Sequence, residues 1–248
     1  MCALFKLAAP ALSIVALAGC ATTQEKTEAL GMISMTTTVD DDLRGAMIYV
    51  PPNYDPAQAW PLVVFLHGAG ERGRDGVKQT KVGLPPVIQK YPERFPCLVL
   101  MPQCAAGDLW SSETAKAHID DAIAQTLAAY NVDESRISLT GLSLGGFGSF
   151  AYGAENANMF CAIMPVCGGG DSNDKSAVAK LATIPIRVFH GADDRVVPAK
   201  RSREMVAAIR GAGGDIQYTE YPDTSHNSWD QAYGDPEAIA WLLAQRSE

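Results

Sequence analysis

A short apolar run, Arg136 to Thr140, meets a helical stretch, Gly146 to Tyr152, with only Gly141-Leu142-Ser143-Leu144-Gly145 between them. A reversal from strand to helix in so few residues leaves no room for side chains at its flanks, so glycine at both ends follows from sterics. Ser143, at the centre, is expected in a strained turn with its hydroxyl projecting above the sheet. A strand feeding directly into a helix that packs back on it is a unit of α/β architecture.

The rest of the chain repeats this alternation. Apolar runs predict strands at Ile33 to Val39, Ala46 to Val50, Leu62 to His67, Cys97 to Met101, Arg136 to Thr140, Ala162 to Val166, Ile186 to His190 and Ile216 to Tyr221. Continuous runs such as Leu62-Val63-Val64-Phe65-Leu66 suit strands covered on both faces, as in a parallel sheet. Helical patterns fall between them. Thr114 to Tyr130 carries Ile119, Ile123 and Leu127 on one stripe behind a cap at Ser112 and Glu113; a second helix follows Pro198, and a third runs from Pro236 to Gln245. The expectation is a mostly parallel eight-stranded sheet with helices on both faces.

The N-terminus reads differently. Residues 1–19 carry one charge, Lys6, and an apolar run from Leu7 to Ala18 that is short for a membrane span and has the form of a secretory signal. Leu17-Ala18-Gly19-Cys20 looks like the lipobox of bacterial lipoproteins, which predicts cleavage before Cys20 and lipid attachment to it. Residues 20–32 would form a lipidated, polar tether, with a catalytic domain at 33–248. That places the protein in the cell envelope, held by its N-terminal lipid alone, at the outer membrane in a host with two membranes. Cys97, Cys104, Cys161 and Cys167 are then the cysteines of the fold, either as two disulfides or as buried thiols. No Cys/His spacing suits zinc, so no metal is expected. The net charge of -8, with no basic block, excludes a nucleic-acid partner.

A serine hydroxyl is a weak nucleophile and needs a base in hydrogen-bond reach, with a carboxylate holding that base in the right tautomer. Of the four histidines, His226 lies in the polar loop Asp223-Thr224-Ser225-His226-Asn227 after the last strand and is the candidate base. His118 reads as a solvated helix residue, while His67 and His190, each ending a strand, read as loop braces. Asp193 and Asp194, after the seventh strand, are both candidate acids. For the developing oxyanion, the backbone N–H of Leu144 and one from the loop His67-Gly68-Ala69-Gly70 are the candidate donors, Ala69 first and Gly70 in reserve. That loop lacks the glycine spacing and the Lys-Ser/Thr pair of a phosphate cradle. Trp110, Phe147 and Trp229 are candidates to line the cleft, with Trp110 and Trp229 the substrate contacts, and Glu71, Arg72 and Asp171 candidates for its rim.

These motifs together resemble the secreted bacterial α/β-hydrolases of the esterase, polyhydroxybutyrate-depolymerase-like and "predicted peptidase" group. The resemblance runs from Met35 to Gln245 through His67 to Gly73, Met101-Pro102-Gln103-Cys104 with Trp110, the Ser143 turn, Cys167 to Asp171, His190-Gly191 through Pro198, and His226 with Trp229. It implies an α/β-hydrolase fold and a serine esterase with Ser143 as nucleophile, Asp194 as acid and His226 as base, working without a cofactor. Pro102-Gln103-Cys104-Ala105 departs from the group, which often continues with another proline. Lids in lipases of this fold are usually inserted after the sixth strand, and only Cys167 to Pro185 stands there, so no large lid is expected. Short acyl esters, or acetyl and feruloyl esters on a polysaccharide, fit an open cleft. A peptidase of the same fold and a noncatalytic binding lipoprotein are the rival readings.

Overall fold

The computed structural model describes residues 31–247; the expectations for residues 1–19, for Cys20 and for the tether up to residue 30 lie outside the described residues. Eight strands, β1 (Gly31–Val39), β2 (Asp42–Val50), β3 (Trp60–Leu66), β4 (Leu98–Pro102), β5 (Val132–Leu142), β6 (Ala162–Val166), β7 (Ile186–Gly191) and β8 (Ile216–Tyr221), form one sheet in the order β1-β2-β4-β3-β5-β6-β7-β8. The β1/β2 and β2/β4 pairs are antiparallel and all others parallel.

Strand β3 shows why the sheet sits at the centre. Every residue from Trp60 to Leu66 is buried. Leu62, Val64 and Leu66 join one core, and Val63 and Phe65 join the other, because side chains alternate across a strand. Burial of each large apolar side chain contributes about 1.5–3 kcal/mol, so covering both faces roughly doubles what a strand can supply. The first core takes residues from α2 (Glu113–Ala129), α3 (Leu144–Glu155), α4 (Lys175–Leu181) and α5 (Lys200–Gly211). The second takes residues from α1 (Leu84–Lys90), α6 (Trp229–Gly234) and α7 (Pro236–Ala244).

Several local expectations need correction. Gly31 and Met32, read as the end of the tether, already pair with Val50 and Tyr49. β2 begins at Asp42 because Asp40 and Asp41, with φ of 50° and 63°, make a two-residue hairpin turn that aligns Val39 with Asp42. His118, read as solvated, is fully buried: α2 packs on β1, and the ring lies between Thr37 and the backbone N–H of Gln103. α1, α4 and α6, each short, were not anticipated. α4 is the only helix between β6 and β7 among the described residues, and no large lid covers that edge of the sheet.

Candidate active site

β5 runs straight into α3, and Ser143 is the residue between them, at φ 54° and ψ −113°. This backbone region costs a non-glycine residue on the order of 1–3 kcal/mol and persists only where its surroundings over-determine it. Here they do. Ser143 donates its N–H to Val166 O of β6 at 2.9 Å, and Phe147 donates to Ser143 O at 3.1 Å, which opens the helix. A Cβ on Gly141 would come within 2.7 Å of Leu66 O, and one on Gly145 would meet Leu66 O closer still and His67 O at 2.8 Å. The glycines flanking Ser143 are therefore demanded by backbone-to-backbone contact with the end of β3.

The loops after β7 and β8 bring the other groups to this point. His226 Nε2 is 2.9 Å from Ser143 Oγ, and His226 Nδ1 is 2.7 Å from Asp194 Oδ2. The second carboxylate oxygen of Asp194, Oδ1, accepts the backbone N–H groups of Val196 and Val197, each at 2.9 Å. Asp194 is buried and Asp193 is exposed, so a difference invisible in composition is decided by the turn of the loop. Trp229 packs edge-on against the His226 ring, 5.3 Å between centroids, and limits how that imidazole can swing. A hydroxyl, an imidazole and a buried carboxylate in this order form the constellation that base-assisted nucleophilic attack requires.

The candidate oxyanion donors lie alongside. Leu144 is the first residue of α3, where an N–H has no partner within the helix. Gly68 passes so near that a Cβ on it would stand 3.6 Å from Ser143 Cβ, and Ala69 follows it at the start of a short 3-10 turn, Ala69–Glu71. His67 holds this loop from below: its Nε2 accepts the Cys104 N–H at 2.9 Å, and its carbonyl accepts the Trp110 indole N–H at 3.0 Å. Burial pushes His67 down to about 4, so it stays neutral and serves as a brace. Burial also raises Glu71 at the cleft mouth.

Trp110, a candidate substrate contact, is almost completely buried and contributes mainly a wall. It lines a cavity of about 310 Å³ with Leu109, Leu144, Phe147, Ala151 and Arg201, which reaches the residue after Ser143. Trp229 borders a broader groove of about 670 Å³ with Tyr91, Asn227 and Asp230. Of the rim candidates, Arg72 is committed to the Ala69 and Asp108 carbonyls. The four cysteines of the domain are buried and unpaired, which settles the choice against disulfides. Cys167 Sγ lies within 4.8 Å of the Asp194 and His226 ligand atoms, which hydrogen-bond to each other at 2.7 Å. Leu109, Arg201 and His190 were not singled out as site residues. For His190 the usable signal was its four-residue spacing from Asp194 across a turn.

The sequence model of the dienelactone hydrolase family matches residues 103–236. Among solved structures, a thermostable esterase is 37% identical, superposes with a TM-score of 0.79, and is matched over 87% of this chain and 63% of its own. This chain thus spans less than two thirds of that esterase. The feruloyl esterase module from Clostridium thermocellum, solved as a serine-to-alanine mutant with sinapinate, is 12% identical with a TM-score of 0.72 over 88% of this chain and 89% of that one. Est1E from Butyrivibrio proteoclasticus is 14% identical with a TM-score of 0.67 over 86% and 99%. At such identities the last two speak for the fold alone.

Proposed function

Since this chain belongs to the dienelactone hydrolase family and has the α/β-hydrolase fold, we propose that it hydrolyses carboxylic esters through an acyl-enzyme on Ser143. The observation that carries this reading is the chain of contacts from Ser143 Oγ through His226 to the buried Asp194 carboxylate, 2.9 Å and 2.7 Å in turn. Ser143 Oγ attacks the ester carbonyl while His226 Nε2 takes its proton, and Asp194 stabilises the imidazolium that forms. The Leu144 and Ala69 amides receive the negative charge on the carbonyl oxygen, a contribution worth about 3 kcal/mol per donor in comparable sites. His226 returns the proton to the departing alkoxide. Water then enters, is deprotonated by His226, and releases the acid from Ser143.

The small apolar cavity beside Leu144 suits a compact acyl group, and the wider groove beside Trp229 suits the alcohol portion. Short acyl esters, or acetyl and feruloyl groups on a polysaccharide, match that division. The test is hydrolysis of p-nitrophenyl acetate and butyrate and of feruloyl and acetyl-xylan esters by the protein and its Ser143→Ala variant. The reading predicts turnover that vanishes in the variant and a fluorophosphonate label on Ser143. Undiminished hydrolysis by Ser143→Ala would overturn it, and cleavage of aminoacyl p-nitroanilides in place of esters would favour a peptidase.

For location, the proposal is an N-terminal lipid on Cys20 that holds the domain at the envelope. Cys20→Ser should then move the protein from the membrane fraction to the soluble one; unchanged membrane association would count against the anchor.

A further inference from the structure

We propose that His190 is a positioning residue that shares its Nε2–H between the Val197 carbonyl and Asp194 Oδ2, the same carboxylate oxygen that receives His226. This rests on the reading of Asp194 as the acid. His190 Nε2 lies 3.2 Å from Asp194 Oδ2 and 2.8 Å from the Val197 carbonyl oxygen. Both neighbours only accept, so that nitrogen must carry hydrogen. The carboxylate then has three full donors, the Val196 and Val197 amides on Oδ1 and His226 on Oδ2, and a share of a fourth, the His190 Nε2–H that Val197 O also receives. Together they occupy its lone-pair directions and fix its plane, with Oδ2 turned towards His226.

The other face of the His190 ring ties this carboxylate to the nucleophile's turn. With its proton on Nε2, His190 Nδ1 can only accept, so the single hydroxyl hydrogen of Ser202 of α5, whose Oγ is 2.7 Å from Nδ1 and 3.0 Å from Gly168 O, is shared between them. Gly168 in turn abuts Gly146, at the start of α3 behind Ser143. His190 is completely buried, and burial lowers its basicity, so it stays neutral with its single proton on Nε2. The titratable and charged groups around it are Asp194 of its own loop, His226 from the loop after β8, and its register partner Glu220 on β8, which is paired with Arg203 of α5.

The four imidazoles of the chain make a test possible without assigning any resonance. His67 Nε2 and His118 Nε2 accept the amides of Cys104 and Gln103, so both rings carry their proton on Nδ1. His226 directs Nδ1 to Asp194. His190 alone should be an Nε2–H tautomer. In the wild-type protein labelled with ¹⁵N-histidine at about pH 8, above the ordinary imidazole range, NMR should show three Nδ1–H rings and one Nε2–H ring. Four Nδ1–H rings would overturn the proposal.

Kinetics supply a second readout. His190→Phe removes the donor, while the side-chain amide of His190→Gln can replace it. With one donor lost, more of the Asp194 charge acts on His226 and favours its imidazolium. In His190→Phe, kcat for p-nitrophenyl acetate should fall by about tenfold with KM unchanged, and the acid limb of kcat/KM should move upward by about half a unit. His190→Gln should restore both. An unmoved acid limb in a folded Phe variant, or a Gln variant no better than Phe, would overturn the proposal. If Ser143→Ala still hydrolyses esters, the esterase reading fails, while the tautomer count still decides whether His190 has the Nε2–H it needs to donate.

Discussion

Gly146 and Gly168 meet backbone to backbone: a Cβ on Gly146 would stand 2.9 Å from Gly168 Cα, and one on Gly168 would stand 2.7 Å from Gly146 Cα. The start of α3 is thereby pressed against the turn after β6, and Ser143, just ahead of it, is bonded to Val166 at the end of β6. Overpacking at such a contact costs about 1–3 kcal/mol. Gly146→Ala and Gly168→Ala should each lower the denaturation midpoint and reduce ester hydrolysis, whereas Gly211→Ala, at a site with open space around it, should leave hydrolysis unchanged. Equal behaviour of the three variants in urea titration and p-nitrophenyl acetate assays would contradict this account.

The strain at Ser143 makes a prediction of opposite sign for stability and activity. Glycine reaches φ 54° without the penalty paid by serine, although it also gains entropy in the unfolded chain, about 0.5–1 kcal/mol. Ser143→Gly should therefore be inactive yet about 1 kcal/mol more stable. Chemical denaturation with activity measured alongside reads both. A less stable, inactive variant would mean that the strain is smaller than the backbone angles imply.

Acid should destabilise this fold through two histidines remote from the proton transfer. His67 and His118 are both lowered to about 4, chiefly because burial disfavours the imidazolium. The unfolded chain therefore binds more protons than the folded one between about pH 6.5 and 4, and stability rises with pH across that window. It should be fully present above pH 6.5 and fall as pH drops towards 4, by at most roughly 3 kcal/mol per group. Thermal melts from pH 8 to 4 should show this slope, and it should be shallower in His118→Gln. A melting temperature flat across that range would rule out the burial argument.

Cys97, Cys104, Cys161 and Cys167 should behave as buried packing residues. Burial raises all four thiols, Cys104 and Cys167 to about 12, and the reactive species is the thiolate. A thiol reagent should label none of them in the folded protein and all of them in guanidinium, and dithiothreitol should leave the melting temperature unchanged. Stabilisation that dithiothreitol abolishes would show a disulfide instead.

Much of the fold was legible because the signals concerned are local. Short continuous apolar runs suit strands covered on both faces, and all eight predicted strands occur, with shifted ends. The ends moved for local reasons too: the Asp40-Asp41 turn extends β2, and Pro85 and Pro86 occupy the first turn of α1, where a missing N–H costs nothing. His118 was misread because its neighbours in the sequence are polar, while the face it occupies is set by the packing of α2 on β1.

The sequence by itself determined the alternating elements, the glycine-flanked Ser143 turn and the order of a serine, an aspartate pair and His226 along the chain, because sterics and periodicity act over a few residues. The tertiary structure decided what depends on distance: which of two adjacent aspartates meets His226, that the four cysteines stay apart, and that His190 shares the carboxylate. Asp193 and Asp194 are chemically the same in the chain. One turn of the β7 loop leaves the first in solvent and surrounds the second with donors, and no property of either residue alone contains that difference.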